Sequence, residues 1–298
     1  MKTVLVDALW VIAAVYIVVW VLAVVRRKHW TRLPGPLDAG IGLITNFLDT
    51  LGVGSFATTS SLFKLCGLVR DEQIPGTLNV GHTLPTITEA LIYLAVVEVD
   101  VTTLVSMIAA SAVGAWLGAG VVSHWHRRRI QIGMGSVLIA AAIIMALRQL
   151  HWIPGGGNSL GVSGTKLVVA VLCNAILGAL MTLGIGLYAP CMMLVAALGM
   201  NVRAAYPIMM GSCAFLMPVG STRFIRANSY NLKSALGLAI GGIPGVLLAA
   251  YLVKELPLAA VTWLVVGVLI YTSAMMLRSA HLERGTQLAE APAEVSAD

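Results

Sequence analysis

Thr50-Leu51-Gly52-Val53-Gly54-Ser55-Phe56-Ala57 returns 132 residues later as Thr182-Leu183-Gly184-Ile185-Gly186-Leu187-Tyr188-Ala189. The same offset sets Ile74-Pro75 on Tyr206-Pro207 and Gly135 on Gly267, and a one-residue slip sets Gly114 on Gly245. Agreement at one offset over so long a stretch reads as an internal repeat, a device common in secondary transporters. Each copy carries a Gly-x-Gly in its middle, where glycine permits a helix break and close backbone approach. The glycines of the later segments, such as Gly118, Gly237 and Gly241, read instead as small residues that let helices pack closely.

The surroundings decide what solvent these breaks meet. Of 298 residues, 58% are apolar and 11% charged, and mean hydropathy is strongly positive. A water-soluble domain could not cover that much apolar surface, so lipid is the solvent for most of the chain. The formal charge of +6 sits in short clusters between apolar runs, the pattern of membrane orientation signals and not of a nucleic-acid surface. Cys66, Cys173, Cys191 and Cys213 lie in or beside apolar segments without metal-ligand spacing, so neither a disulfide framework nor a metal site is expected, and no cofactor.

The expected architecture is an all-α integral membrane protein. Residues 1–37 form an N-terminal transmembrane helix and a basic cytoplasmic loop. A first transporter repeat follows over 38–150, a Gly-rich linker over 151–166, a second repeat over 167–279 and a disordered tail over 280–298. Each repeat holds four apolar segments. If the first of each enters and leaves on the same side, as a re-entrant or broken Gly-containing hairpin, 14 Lys and Arg residues fall inside and 5 outside, a clear positive-inside bias. Three true spans per repeat is an odd number, so the repeats are inverted. The amino terminus is then outside and the carboxyl terminus cytoplasmic.

Two breaks meeting near the midplane would present half-helix amino ends and unpaired N–H groups, which favour an anion. The candidate cradle is Thr50, Gly52, Gly54, Ser55, Thr58, Thr182, Gly184, Gly186 and Tyr188. Asp49 adjoins the first break, where a carboxylate is costly unless protonated, paired or solvated; it reads as an ion or proton site or as a cap for the following half-helix. His82, Thr86 and Glu89 share one helical face, as a proton-coupling set or a static hydrogen-bond network. Arg223 reads either as an anion ligand or as a side chain that snorkels to the cytoplasmic surface.

Two halves that each open with a Gly-x-Gly hairpin and continue into a Pro-bearing span resemble the TauE/SafE family of sulfite exporters and organosulfur-anion permeases. The resemblance covers nearly all of the chain after the first span. Pro190 keeps the family's proline after the second hairpin, whereas Thr58 stands in its place after the first. The resemblance implies a secondary transporter for a small anion such as sulfite, a sulfonate or a related carboxylate in the cytoplasmic membrane. Its partners would be that substrate, the lipid bilayer and a coupling proton, and nucleic acid has no part in it. A passive anion channel would share the cradle, and a Ser55/His82 pair would suit an intramembrane hydrolase. No nucleotide-binding loop is visible. Cysteines introduced at positions 68, 72 and 30 are expected to label from one side of the membrane; labelling of 68 and 72 from the side opposite 30 would rule out the hairpin.

Overall fold

The computed structural model describes residues 2–26, 33–51, 54–152, 157–183, 187–252 and most of 263–281. The sequence-expected tail beyond residue 281, Gly52, Gly184, Gly186 and part of the last apolar segment lie outside the described residues. Among the described residues ten α-helices have defined ends, and residues 273–281 are helical as well. The ten are α1 Lys2–Arg26, α2 Pro36–Thr50, α3 Ser55–Cys66, α4 Ile74–Val96, α5 Val101–Val122, α6 Arg127–Gln149, α7 Gly164–Met181, α8 Tyr188–Ala197, α9 Ala205–Arg226 and α10 Leu232–Leu252.

Among the described residues six helices are long and apolar enough to cross a membrane: α1, α5, α6, α7, α9 and α10. The multi-pass membrane protein expected from composition is therefore what the chain forms. One detail differs from expectation: helix α7, 18 residues and about 27 Å long, is long and apolar enough to cross although it falls in the second expected hairpin. Helix α4 has 23 residues but carries His82, Pro85, Glu89 and several threonines, too polar a surface for lipid. Its polar side chains are buried in protein instead, Asn79, His82 and Thr83 all at 0% exposure.

Helices α2, α3 and α8, of 15, 12 and 10 residues, reach only about 22, 18 and 15 Å, well short of a hydrocarbon core of roughly 30 Å. Where they begin and end follows from the contacts at the two ends of the bundle. At one end, Ser234 Oγ donates to Asp38 Oδ1 at 2.8 Å and Lys233 Nζ lies 3.2 Å from Asp38 Oδ2. There too Asn231 N donates to Thr77 Oγ1 at 2.9 Å, and Gly76 abuts Ser229. The starts of α2, α4 and α10 thus share a layer. At the other end, Asp100 N donates to Leu160 O at 2.9 Å, Asn201 N to Ser159 O at 2.8 Å and Lys166 Nζ to Leu198 O at 3.1 Å. The starts of α5, α7 and α9 share that second layer. Asp100 caps α5 there, and the hydrogen bond it accepts from the Thr103 N–H holds its carboxyl below the ordinary value.

The most extensive helix contacts join the two halves: α2 with α10, and α5 with α7. Both run on small residues. A Cβ at Gly241 would sit 1.9 Å from Ala39 O, and one at Gly245 2.3 Å from Leu43 O; Gly114 and Gly178 bring α5 and α7 equally close. Since Asp38 meets Gly237 and Leu43 meets Gly245, α2 and α10 run in the same direction; α5 and α7 do likewise, through Gly114 on Ala175 and Gly118 on Ala179. Helix α4 instead runs antiparallel to α9, because Gly76 meets Ser229 at one end and Gly211 meets Leu94 at the other.

Helix α1 stands outside this framework, mostly exposed along one face, and is tied in where Tyr16 OH donates to Val80 O at 2.8 Å.

A side chain at position 114 would meet Ala175 O at 1.9 Å, whereas nothing lies within 4 Å of a Cβ at Gly40. Gly114→Leu is expected to cost about 1 to 3 kcal/mol or more through overpacking, and Gly40→Ala to be nearly silent. Thermal unfolding of the detergent-solubilised protein reads both.

Candidate functional site

The first break begins where α2 ends at Thr50 and α3 begins at Ser55. Gly54 turns the chain at φ 92°, a conformation L side chains rarely adopt. The turn brings Asp49 back over the start of α3. Its Oδ1 accepts the Ser55 N–H at 2.8 Å and its Oδ2 accepts the Ser55 hydroxyl at 2.7 Å. A carboxylate in this position satisfies a helix-start donor that lipid could not and meets the positive end of the helix dipole. Asp49 is 4% exposed.

His82 fastens this hairpin to α4. Its Nδ1 lies 2.9 Å from Asn46 Oδ1 on α2 and its Nε2 lies 3.0 Å from Thr59 Oγ1 on α3. Asn46 Nδ2 already donates to Gly42 O at 2.7 Å, which leaves Oδ1 as acceptor. The neutral Nδ1–H tautomer then fits the network, with the Thr59 hydroxyl donating to Nε2. The Ser55 hydroxyl is spent on Asp49, so Ser55 and His82 do not form the nucleophile–base pair that a hydrolase would need.

Two turns further along α4, Glu89 meets the second hairpin. Tyr188, the first residue of α8, donates its hydroxyl to Glu89 Oε2 at 2.5 Å. Glu89 is 1% exposed, and among the described residues its Oε1 accepts no hydrogen bond of normal geometry. Tyr93, one more turn along, donates to Thr50 O at 2.9 Å and stacks on Tyr206 with ring centroids 5.7 Å apart. Helix α4 therefore touches both hairpins with a single face. A small cavity with room for about one water lies between them, lined by Asp49, Ser55, Thr86, Met181, Tyr188 and Cys213 among the described residues. Asp49 and Glu89 are near enough to repel each other when both are charged. Ion pairs among the described residues lie elsewhere: Lys64 with Asp71, Arg70 with Glu72 and Lys233 with Asp38.

Of the sequence-expected site residues, the structure brings Asp49, Ser55 and Tyr188 to the cavity, with Thr50, His82 and Glu89 around it. Thr58 and Thr182 turn their hydroxyls onto carbonyls of their own helices, at 2.9 Å to Gly54 O and 2.7 Å to Ala179 O. Arg223 lies apart, near the end of α9, with its guanidinium 4.0 Å over the Trp116 ring. Sequence reasoning did not single out Tyr93, Met181 or Cys213 as site residues. Tyr93 had a signal, since it extends the His82, Thr86, Glu89 face by one more turn; the two sulfur side chains had none, because nothing in an apolar helix marks which residue faces a break.

Residues 2–145 match the family model of the sulfite exporter TauE/SafE, a stretch that includes Asp49, Ser55, His82 and Glu89. No curated protein and no solved structure matches the chain. The match supports the TauE/SafE family, and together with the apolar helices it supports a transmembrane transporter concerned with anion transport.

Replacing Tyr188 by Phe removes the donor to the buried Glu89 Oε2. The expected cost is about 1 to 3 kcal/mol in thermal unfolding. A double-mutant cycle with Glu89→Ala is expected to show a coupling of about 0.5 to 3 kcal/mol; additive losses would mean that the two side chains do not interact.

Proposed function

We propose that this chain, on the premise of its TauE/SafE match, is a secondary transporter that moves a small anion across the cytoplasmic membrane by alternating access. The substrate class is sulfite, a sulfonate such as sulfoacetate, or a related carboxylate. The observation that carries the reading is the convergence of two half-helix starts on one buried cavity: Ser55 of α3, held by Asp49, and Tyr188 of α8, held by Glu89. Half-helix starts facing each other in the interior are how transporters hold anionic groups without a full positive charge.

On this reading the chain is two inverted repeats with one re-entrant hairpin from each face. The shared layer at the starts of α2 and α4 supports it, because α3 must return the chain to the face that α2 left. The second layer supports the same for α7, α8 and α9. So does the antiparallel crossing of α4 and α9, since equivalent helices related by a two-fold axis in the membrane plane must run in opposite directions. The layer of Asp38 and Lys233 also gathers Lys64, Arg70, Arg128, Arg129 and Arg226, and is the cytoplasmic side by the positive-inside rule. The amino terminus is then outside and the carboxyl terminus inside.

Glu89 is the group we assign to proton coupling, with Asp49 beside it. Both are carboxylates inside the bundle, and neither has a cation against it among the described residues. A passive anion channel shares the cradle but needs no titratable coupling group such as Glu89.

Full-length protein in proteoliposomes is expected to accumulate sulfite uphill when a pH gradient is imposed. Glu89→Gln is expected to lose the pH-driven component while still binding the anion. Flux that only follows the sulfite gradient would favour the channel, and a thermal-shift panel of sulfite, sulfoacetate, taurine and oxalate without any response would count against an anion substrate.

A further inference from the structure

We propose that the end of the bundle where α5 and α9 finish holds a site for the phosphate headgroup of an anionic phospholipid, with Arg223 as its ligand beside Trp116. The inference needs only the membrane placement of the chain and stands apart from the anion-transport reading. Arg223 lies in the last turn of α9 and Gly120 in the last turn of α5. The guanidinium therefore sits at the depth where apolar helix gives way to headgroups. A Cβ at Gly120 would be 3.6 Å from Arg223 Cζ, and the Trp116 ring, one turn earlier on α5, lies 4.0 Å from the same carbon. Trp116 is 46% exposed, on a stretch of α5 where Val113, Leu117 and Val121 are exposed too, so this face of α5 meets acyl chains.

A guanidinium placed there needs an anion, and the described residues supply none. Arg223 Nε is buried without a hydrogen-bond partner. The carboxylates at this end of the bundle pair with other cations: Asp38 with Lys233, Asp71 with Lys64 and Glu72 with Arg70. Trp20 of α1, buried in the apolar cluster that also holds Ala119, Val122 and Phe224, has an Nε1–H without an acceptor as well. This end thus has more donors than acceptors. The Trp116 ring takes up one side of the guanidinium, and a phosphate offers paired oxygens to its fork of N–H groups. The site faces lipid and not the central cavity, which assigns it to a headgroup of the adjoining leaflet and not to a transported anion. Since α5 comes from the first half of the chain and α9 from the second, a headgroup held here would tie the two halves together at one end.

The full-length protein in neutral detergent is titrated with dioleoylphosphatidylglycerol, with dioleoylphosphatidylcholine and with inorganic phosphate. Binding is read by native mass spectrometry and by the melting temperature. The expected result is that phosphatidylglycerol binds wild type and raises its melting temperature, and that its apparent affinity falls roughly tenfold in Arg223→Gln. Arg203→Gln, which removes an exposed cation at the opposite end, is expected to bind the lipid as wild type does. Arg223→Lys keeps the charge without the fork and is expected to fall between; it carries the comparison if Arg223→Gln does not fold. Equal phosphatidylglycerol binding by wild type and the Arg223 variants overturns the inference. So does wild-type binding no tighter for phosphatidylglycerol than for phosphatidylcholine, which would mean annular lipid only. Protection by inorganic phosphate equal to that by the lipid overturns the assignment to a headgroup.

Discussion

A helix that stops inside a membrane leaves backbone donors that lipid cannot satisfy, and the rest of this molecule is arranged around that constraint. At the first break the donors are met by Asp49. A carboxylate so placed cannot itself face lipid, which in turn requires a wall of protein on every side. Helices α4 and α9 supply it. Both carry an interior proline, and both are among the most buried helices of the fold, while α1, α5 and α7 turn large parts of their surface outward. The small-residue seams between α2 and α10 and between α5 and α7 then close the wall from either side.

The two halves contribute unequally to the centre. The first supplies nearly all of the polar chemistry: Asn46, Asp49, Ser55, Thr59, His82, Thr86 and Glu89 lie on α2, α3 and α4. The second supplies Tyr188 and a soft apolar surface of Met181 and Cys213, whose sulfurs lie 3.6 Å apart.

Much of this was legible in the sequence, for reasons particular residues make clear. The breaks at Gly54 and near Leu187 announced themselves by recurring at a constant offset, and the face of His82, Thr86 and Glu89 followed from helical spacing alone. The role of Asp49 was left open between cap and ion site, because its bond to Ser55 depends on a turn at Gly54 whose direction no linear pattern records. Arg223 looked like a membrane charge by alignment, but position along a helix does not reveal which neighbour a long side chain will cover, and here that neighbour is Trp116. Helix α4 lies where the second apolar segment of the first repeat suggests a helix, and its polar residues are tolerable only because other helices surround them.

The seam between α2 and α10 has a bearing on how the chain is made. Asp38 finds its partner in Ser234, 196 residues further along. An emerging chain must therefore insert α2 and its break long before the helix that will cover them has been synthesised. During that interval the first hairpin depends on its own internal bonds, above all Asp49 to Ser55, to keep a polar turn tolerable in lipid. The carboxylate at the centre of the finished protein would then also act as a provisional support during its assembly.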